Sequence, residues 1–216
     1  MAKTILEPSR KSRKGKVHPV VIIVCEAEKT EPIYFSHFKK RDKPLRIEIV
    51  KGVEGIGYHA LIKKAVDAKI KYVDGTKSTW DIWCVSDVDV DRNTPSNQSI
   101  RNRQLKDYAK EARKNGIKIA LSNPCFELWF LLHFIYTSGY MPDYDAVAKE
   151  LVEYLPHYQK NCDVYGLLED KQATAVSHAK MLKLYHEGQG KADYMDVSLN
   201  PYTNVWQLVS SLSDMG

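Results

Sequence analysis

A chain of 216 residues that is 44% hydrophobic and 10% aromatic can bury a sizeable core and fits one α/β domain with a helical annex. No stretch approaches the roughly 20 consecutive apolar residues of a membrane helix, and the basic N-terminus lacks a signal peptide's apolar segment, so a cytoplasmic protein with no membrane partner is expected. The net charge of +5 comes from residues 1–17, where Lys3, Arg10, Lys11, Arg13, Lys14 and Lys16 face only Glu7; the remainder carries 26 basic and 26 acidic residues. This segment reads as a disordered cationic arm, able to neutralise phosphates without reading bases but equally able to serve as a solvated terminus. Cys25, Cys84, Cys125 and Cys162 are widely spaced with no CxxC pair, which argues against disulfides and a zinc knuckle.

Residues 19–25, PVVIIVC, are a short apolar run rich in β-branched side chains, as in a strand covered on both faces. The spacing after it predicts a helix over 31–41, with Thr30 as N-cap and Ile33, Phe35 and Phe38 on its buried face. LRIEIV alternates like a strand, GVEGIG supplies a turn, and HALIKKAVDAKIKYV has helical spacing through Leu61, Ile62, Ala65, Val66 and Ile70. WDIWCVS, at 80–86, is a further strand that runs into Asp87, Asp89 and Asp91. A charged helix over 98–115 is closed by Gly116, and IKIALS gives another strand.

Strands separated by helices of this length imply βαβ crossovers and a mainly parallel sheet, whose ligands bind outside the carboxyl ends of the strands. Beyond Asn123-Pro124, CFELWFLLHFIY reads as a buried helix enclosing Glu127 and His133. Helical segments near 143–155, 171–187 and 203–214 follow. The expected organisation is a basic arm at 1–17, an α/β core over 18–136 and a mostly helical region over 137–216 packed on it.

Asp87 and Asp89 would share a face if the strand continued that far, and like-charged oxygens held close call for a cation; oxygen ligands without sulfur suit Mg²⁺ or Mn²⁺. A solvated turn is the plainer reading. An EF-hand fails, since Arg92 and Gln98 stand where that loop needs Gly and Glu. Glu26, directly after the first strand, is placed to add a third ligand. No GxxxxGK[ST] exists, and Gly52, Gly55 and Gly57 are in the wrong order for a dinucleotide loop. Glu127, among Phe, Leu and Trp, needs a partner, either the metal region or a basic side chain. His133 reads as a core histidine, and Lys160 as a loop lysine able to approach a scissile phosphate.

Four blocks, VIIVCEAEKTEPIYF at 21–35, WCVSDVDVDR at 83–92, LSNPCFELWFLLHF at 121–134 and NPYTNVWQLVSSL at 200–212, resemble the RloB family, also called the AbiLii type. The resemblance implies a fold related to the Toprim domain, in which one Glu after the first strand and a DxD after a later one bind metal; Glu26, Asp87 and Asp89 match those positions. Ala27 replaces the usual Gly after the Glu, and Val88 stands where a charged residue is common. The family resembles components of abortive-infection loci encoded beside an AAA or ABC-like ATPase, which implies phage defence. The expectation is a metal-dependent nuclease acting on DNA or RNA, tRNA included, with Glu26, Asp87 and Asp89 on one or two Mg²⁺ or Mn²⁺, Glu26 alternatively a general base, and Glu127 and Lys160 in support. The alternative is a non-catalytic nucleic-acid-binding or regulatory subunit of a partner ATPase.

Overall fold

The computed structural model describes residues 19–39, 45–52, 57–72, 80–90, 93–191 and 193–215. The basic arm, the middle of GVEGIG, and Asp91 lie outside these residues.

Four parallel strands and one short antiparallel strand form a single sheet in the order β2-β1-β3-β4-β5. β1 (Val20–Cys25) is flanked by β2 (Arg46–Val50) and β3 (Trp80–Asp87), and β3 pairs in turn with β4 (Lys118–Asn123). All six residues of β1 are buried, as the continuous apolar run predicts for a central strand covered on both sides. α2 (Tyr58–Tyr72) and α3 (Pro95–Asn115) cover one face, where Ile22, Val24, Ile82 and Cys84 meet Leu61, Ile62, Leu105 and Tyr108. The alternate residues Val21, Ile23, Cys25, Trp83 and Val85 point to the other face. There they pack with α1 (Thr30–Ser36), α4 (Glu127–Leu131), α5 (Tyr144–Leu151), α6 (Tyr165–Leu168), α7 (Gln172–Gly188) and α8 (Val205–Met215) in one continuous cluster.

Several expectations are corrected. Thr30 does not cap α1 but is its first residue; Lys29 is at the cap, and the helix stops at Ser36 instead of reaching 41. Ile70 is 73% exposed, because the buried stripe of α2 runs through Ala65 and Ala68. α3 begins at Pro95, whose fixed φ suits a first helical position, and ends where expected, with Gly116 in the left-handed conformation at φ +67°. CFELWFLLHFIY is not one helix: after Leu131 the chain closes tighter turns, with His133 N–H on Phe130 O at 3.1 Å and Phe134 N–H on Leu131 O at 3.0 Å. The segment expected as a helix from 203 opens with β5 (Tyr202–Thr203), antiparallel to β4.

β5 is fixed by side chains as much as by its ladder. Asn204 accepts from Leu121 N–H at 2.6 Å and donates to Ile119 O at 3.0 Å, completing backbone pairing that so short a strand cannot supply. Ser122 and Thr203 hydroxyls meet at 3.0 Å. Asn200 donates to Asn123 Oδ1 at 3.1 Å, and both asparagines are buried. Two of the four sequence blocks, 121–134 and 200–212, thus interlock at the carboxyl end of β4.

Candidate metal centre

Glu26 directly follows β1 and Asp87 ends β3, so parallel pairing brings both to the carboxyl edge of the sheet. Glu26 N–H extends the ladder by one bond, to Val85 O at 3.0 Å, and Glu26 Oε2 accepts from Asp87 N–H at 3.2 Å. Alternation continues along both strands. Asp87 follows Trp83 and Val85 toward the α1 and α4 side, whereas Glu26 follows Ile22 and Val24 toward α2 and α3, where Arg101 and Tyr58 lie. Gly52, just past β2, is the floor beneath: a Cβ there would stand 1.8 Å from Glu26 O and 2.3 Å from Cys25 O, so only glycine fits.

The strand does not continue to Asp89. It stops at Asp87; Val88 N–H bonds Ser122 O at 2.7 Å and the Val88 side chain is buried, which leaves Asp89 exposed on the loop. From the far side, Tyr58 Oη donates to Asp87 O at 2.8 Å, and the Arg101 guanidinium lies 5.4 Å from the Tyr58 ring centroid.

Asp87 opens into a cavity of about 190 Å³ that is also lined by Glu31, Asp89, Glu127, Tyr144 and Lys160. Glu127 is 3% exposed, and its hydrogen-bond partner is a neutral hydroxyl instead of the basic side chain expected as one option: Tyr158 Oη donates to Glu127 Oε1 at 3.0 Å. Lys160 is exposed, with Nζ 5.2 Å from the Tyr144 ring centroid. His133 lies in the core, Nδ1 donating to Trp129 O at 2.8 Å, and burial pulls its pKa down to about 4.

Sequence reasoning missed Glu31. It stands in the first turn of α1, 2% exposed, on the wall of the same cavity. A signal existed: Glu31, Phe35 and Phe38 fall at i, i+4 and i+7, so a carboxylate sits on the apolar stripe.

Burial dominates the electrostatics. It pushes the Asp87 carboxyl well above the usual carboxylate range, reinforced by Glu31, Glu127 and Glu26 and opposed by the Phe126 N–H. Burial likewise raises Glu31 to about 7, with Glu127 and Glu26 adding and the Glu31 and Ala27 N–H groups opposing. Glu26 is raised by burial against the pull of the Asp87 N–H and Arg101.

A family model for RloB-like proteins matches residues 21–212. The chain belongs to the RloB-like family. Neither a curated protein nor a solved structure matches it.

The RloB-like site fits a hard divalent cation in its donor chemistry: the acidic groups at the sheet edge offer only oxygen, and Asp87 Oδ1 and Glu31 Oε2 are buried with no hydrogen-bond partner. Among the described residues no three His, Cys, Asp or Glu side chains already stand as a cage. Mg²⁺ commonly needs fewer, since it keeps several waters and takes one or two carboxylates. No helix among the described residues is long and apolar enough to cross a membrane.

Proposed function

We propose that this RloB-like chain is a Toprim-type, divalent-metal-dependent nuclease of the cytoplasm that cuts DNA or RNA, tRNA among them, as an effector of phage defence beside a partner ATPase. The observation that carries the metal reading is the pair of unpartnered, buried carboxylate oxygens opening into a cavity at the carboxyl ends of adjacent parallel strands. The nucleic-acid, defence and ATPase parts rest on the resemblance of the four sequence blocks.

Mg²⁺ or Mn²⁺, when bound, supplies Lewis acidity toward a phosphodiester and lowers the pKa of water beside it. Asp87 and Asp89 would hold the cation on the cavity side, with Glu26 adding its carboxyl from the other face of the same sheet edge. Glu26 is half-buried and burial raises its pKa, the direction that makes it a stronger base. Glu127, fixed by Tyr158, keeps the cavity's negative potential in place. Lys160, at the cavity's open side, offsets charge gathering on the transferred phosphate. A non-catalytic subunit is the second reading. It draws on the internal bonds of Glu26 to Asp87 N–H and of Tyr158 to Glu127, which satisfy part of the acidic cluster without a ligand.

The test is incubation of purified full-length protein with single- and double-stranded DNA, RNA and tRNA in Mg²⁺ or Mn²⁺, with and without its neighbouring ATPase. The nuclease reading expects cleavage that EDTA and Asp87→Ala both abolish. No cleavage under any of these conditions, or an Asp87→Ala variant as active as wild type, leaves the subunit reading.

A further inference from the structure

We infer that Glu31 is a metal-site residue: Asp87 and Glu31 together hold a divalent cation at the inner end of the cavity, behind the exposed Asp89. The inference deepens the metal reading above and rests on it. It names a ligand that lies outside the Glu26, Asp87 and Asp89 set.

Geometry selects Glu31 over Glu26 as the partner of Asp87 in this chamber. Asp87 and Glu31 both line the cavity, whereas Glu26 turns to the Arg101 side of the sheet and its Oε2 is engaged by the Asp87 N–H. The N–H groups of Glu31 itself and of Ala27 favour the ionised Glu31 carboxyl, and Phe126 N–H that of Asp87. Each keeps one buried oxygen with no partner, Oε2 and Oδ1 respectively. Neither carboxyl forms an ion pair among the described residues.

Two carboxylates that face one space, each with a buried oxygen lacking a partner and neither ion-paired among the described residues, form an arrangement that a cation neutralises; Lys160, on the same lining, is exposed. The space is ample. About 190 Å³ is many times the roughly 10–15 Å³ that a single water needs, so an ion can enter with several of its waters. Glu127, 3% exposed on the same wall, adds negative potential while its bond to Tyr158 holds it in place.

The experiment is Mn²⁺ titration of the full chain, read by the electron paramagnetic resonance signal of free Mn²⁺. Wild type, Glu31→Gln, Glu31→Asp and the exposed control Glu28→Gln are compared, with melting temperatures in EDTA and nucleic-acid cleavage measured on the same samples. Glu31→Gln is expected to weaken Mn²⁺ binding at least tenfold while melting in EDTA at or above wild type, and Glu28→Gln to bind within twofold of wild type. Glu31→Asp keeps the charge but shortens the reach; it should also bind less tightly, and it decides the matter if the Gln variant does not fold. Wild-type affinity in Glu31→Gln, or in Glu31→Asp where the Gln variant does not fold, overturns the inference, as does a tenfold loss in Glu28→Gln. Mn²⁺ held through Glu31 with no cleavage sinks the nuclease reading and keeps this one; cleavage together with wild-type Mn²⁺ affinity in the Glu31 variants does the reverse. A wild type that binds no Mn²⁺ ends both.

Discussion

Tyr158 Oη donates to Glu127 Oε1 across 3.0 Å, tying the segment after α5 to the first residue of α4. Both side chains are buried, so this one bond supports a carboxylate that would otherwise face the cavity with less to hold it. Tyr158→Phe should cost about 1–3 kcal/mol, the range for leaving a buried polar group short of a partner. Urea unfolding measures it, and a loss below about 0.5 kcal/mol would mean that Glu127 finds another donor.

Asp87→Asn should separate stability from activity. Asp87 is half-buried, with one carboxyl oxygen buried and unpartnered and its pKa strongly raised, so an amide of the same shape removes a charge that the metal-free fold tolerates poorly. The variant is expected to melt higher than wild type in EDTA, gain nothing from Mn²⁺, and lose cleavage at least 100-fold. A lower melting point in EDTA would show that the Asp87 charge is compensated in the metal-free protein.

Glu31 gives a pH dependence with a definite sign. Its carboxyl rises from an ordinary 4.5 to about 7 on folding, so between those values the folded chain binds more protons than the unfolded one, and stability falls as pH rises through the window. The loss is on the order of 3 kcal/mol if the full shift is realised. His133, lowered to about 4, acts oppositely below pH 6.5, so the comparison is best made between proteins sharing that histidine. In EDTA, Glu31→Gln should match wild type near pH 5 and exceed it near pH 8. Equal stability at both pH values would contradict the shift.

Gly52→Ala should disturb the site from below. A Cβ 1.8 Å from Glu26 O forces backbone to move, and both β2 and the Glu26 segment would shift. A loss of about 3 kcal/mol is expected, the upper end of the usual cost of overpacking, since the wall is backbone. Cleavage should weaken even at temperatures where the variant stays folded. Chemical denaturation and an assay at 15 °C check the two effects separately.

Asn204→Ala removes both bonds that its side chain makes to β4, at Leu121 N–H and Ile119 O. Leaving buried backbone groups unpaired should cost about 2–4 kcal/mol. Amide hydrogen exchange at Leu121 should accelerate more than exchange at Ile23 in the centre of β1. Unchanged protection at Leu121 would show that β5 is secured by its own ladder.

The parts of this architecture that were legible in the sequence are those with local causes. β1 and β3 are apolar runs that end in an acid, so the strand, its burial and the position of Glu26 or Asp87 can all be read within eight residues. β5 has two residues and a partner about 80 positions away, and its main fastening is the side chain of Asn204; no periodicity signals any of these. Asp89 was misplaced because alternation is a valid guide only while the strand lasts, and Val88 turns into the core at its end. Glu31 was overlooked because a search for apolar stripes passes over the acid within one. The cavity itself joins residues from five separate segments, a relation created only by the folding of the chain.

Residues 200–204 leave the ribosome after every strand that they fasten has been made. Until they arrive, β4 has an open edge, and Asn123, one residue past the Ser122 carbonyl that receives Val88 N–H beside Asp87, lacks its Asn200 partner. A nascent chain halted before residue 200 should therefore carry the acidic residues without their fixed arrangement. For a protein whose proposed action would harm the cell producing it, competence would then be granted only once residues 200–204 have been made, by the order in which the chain is written.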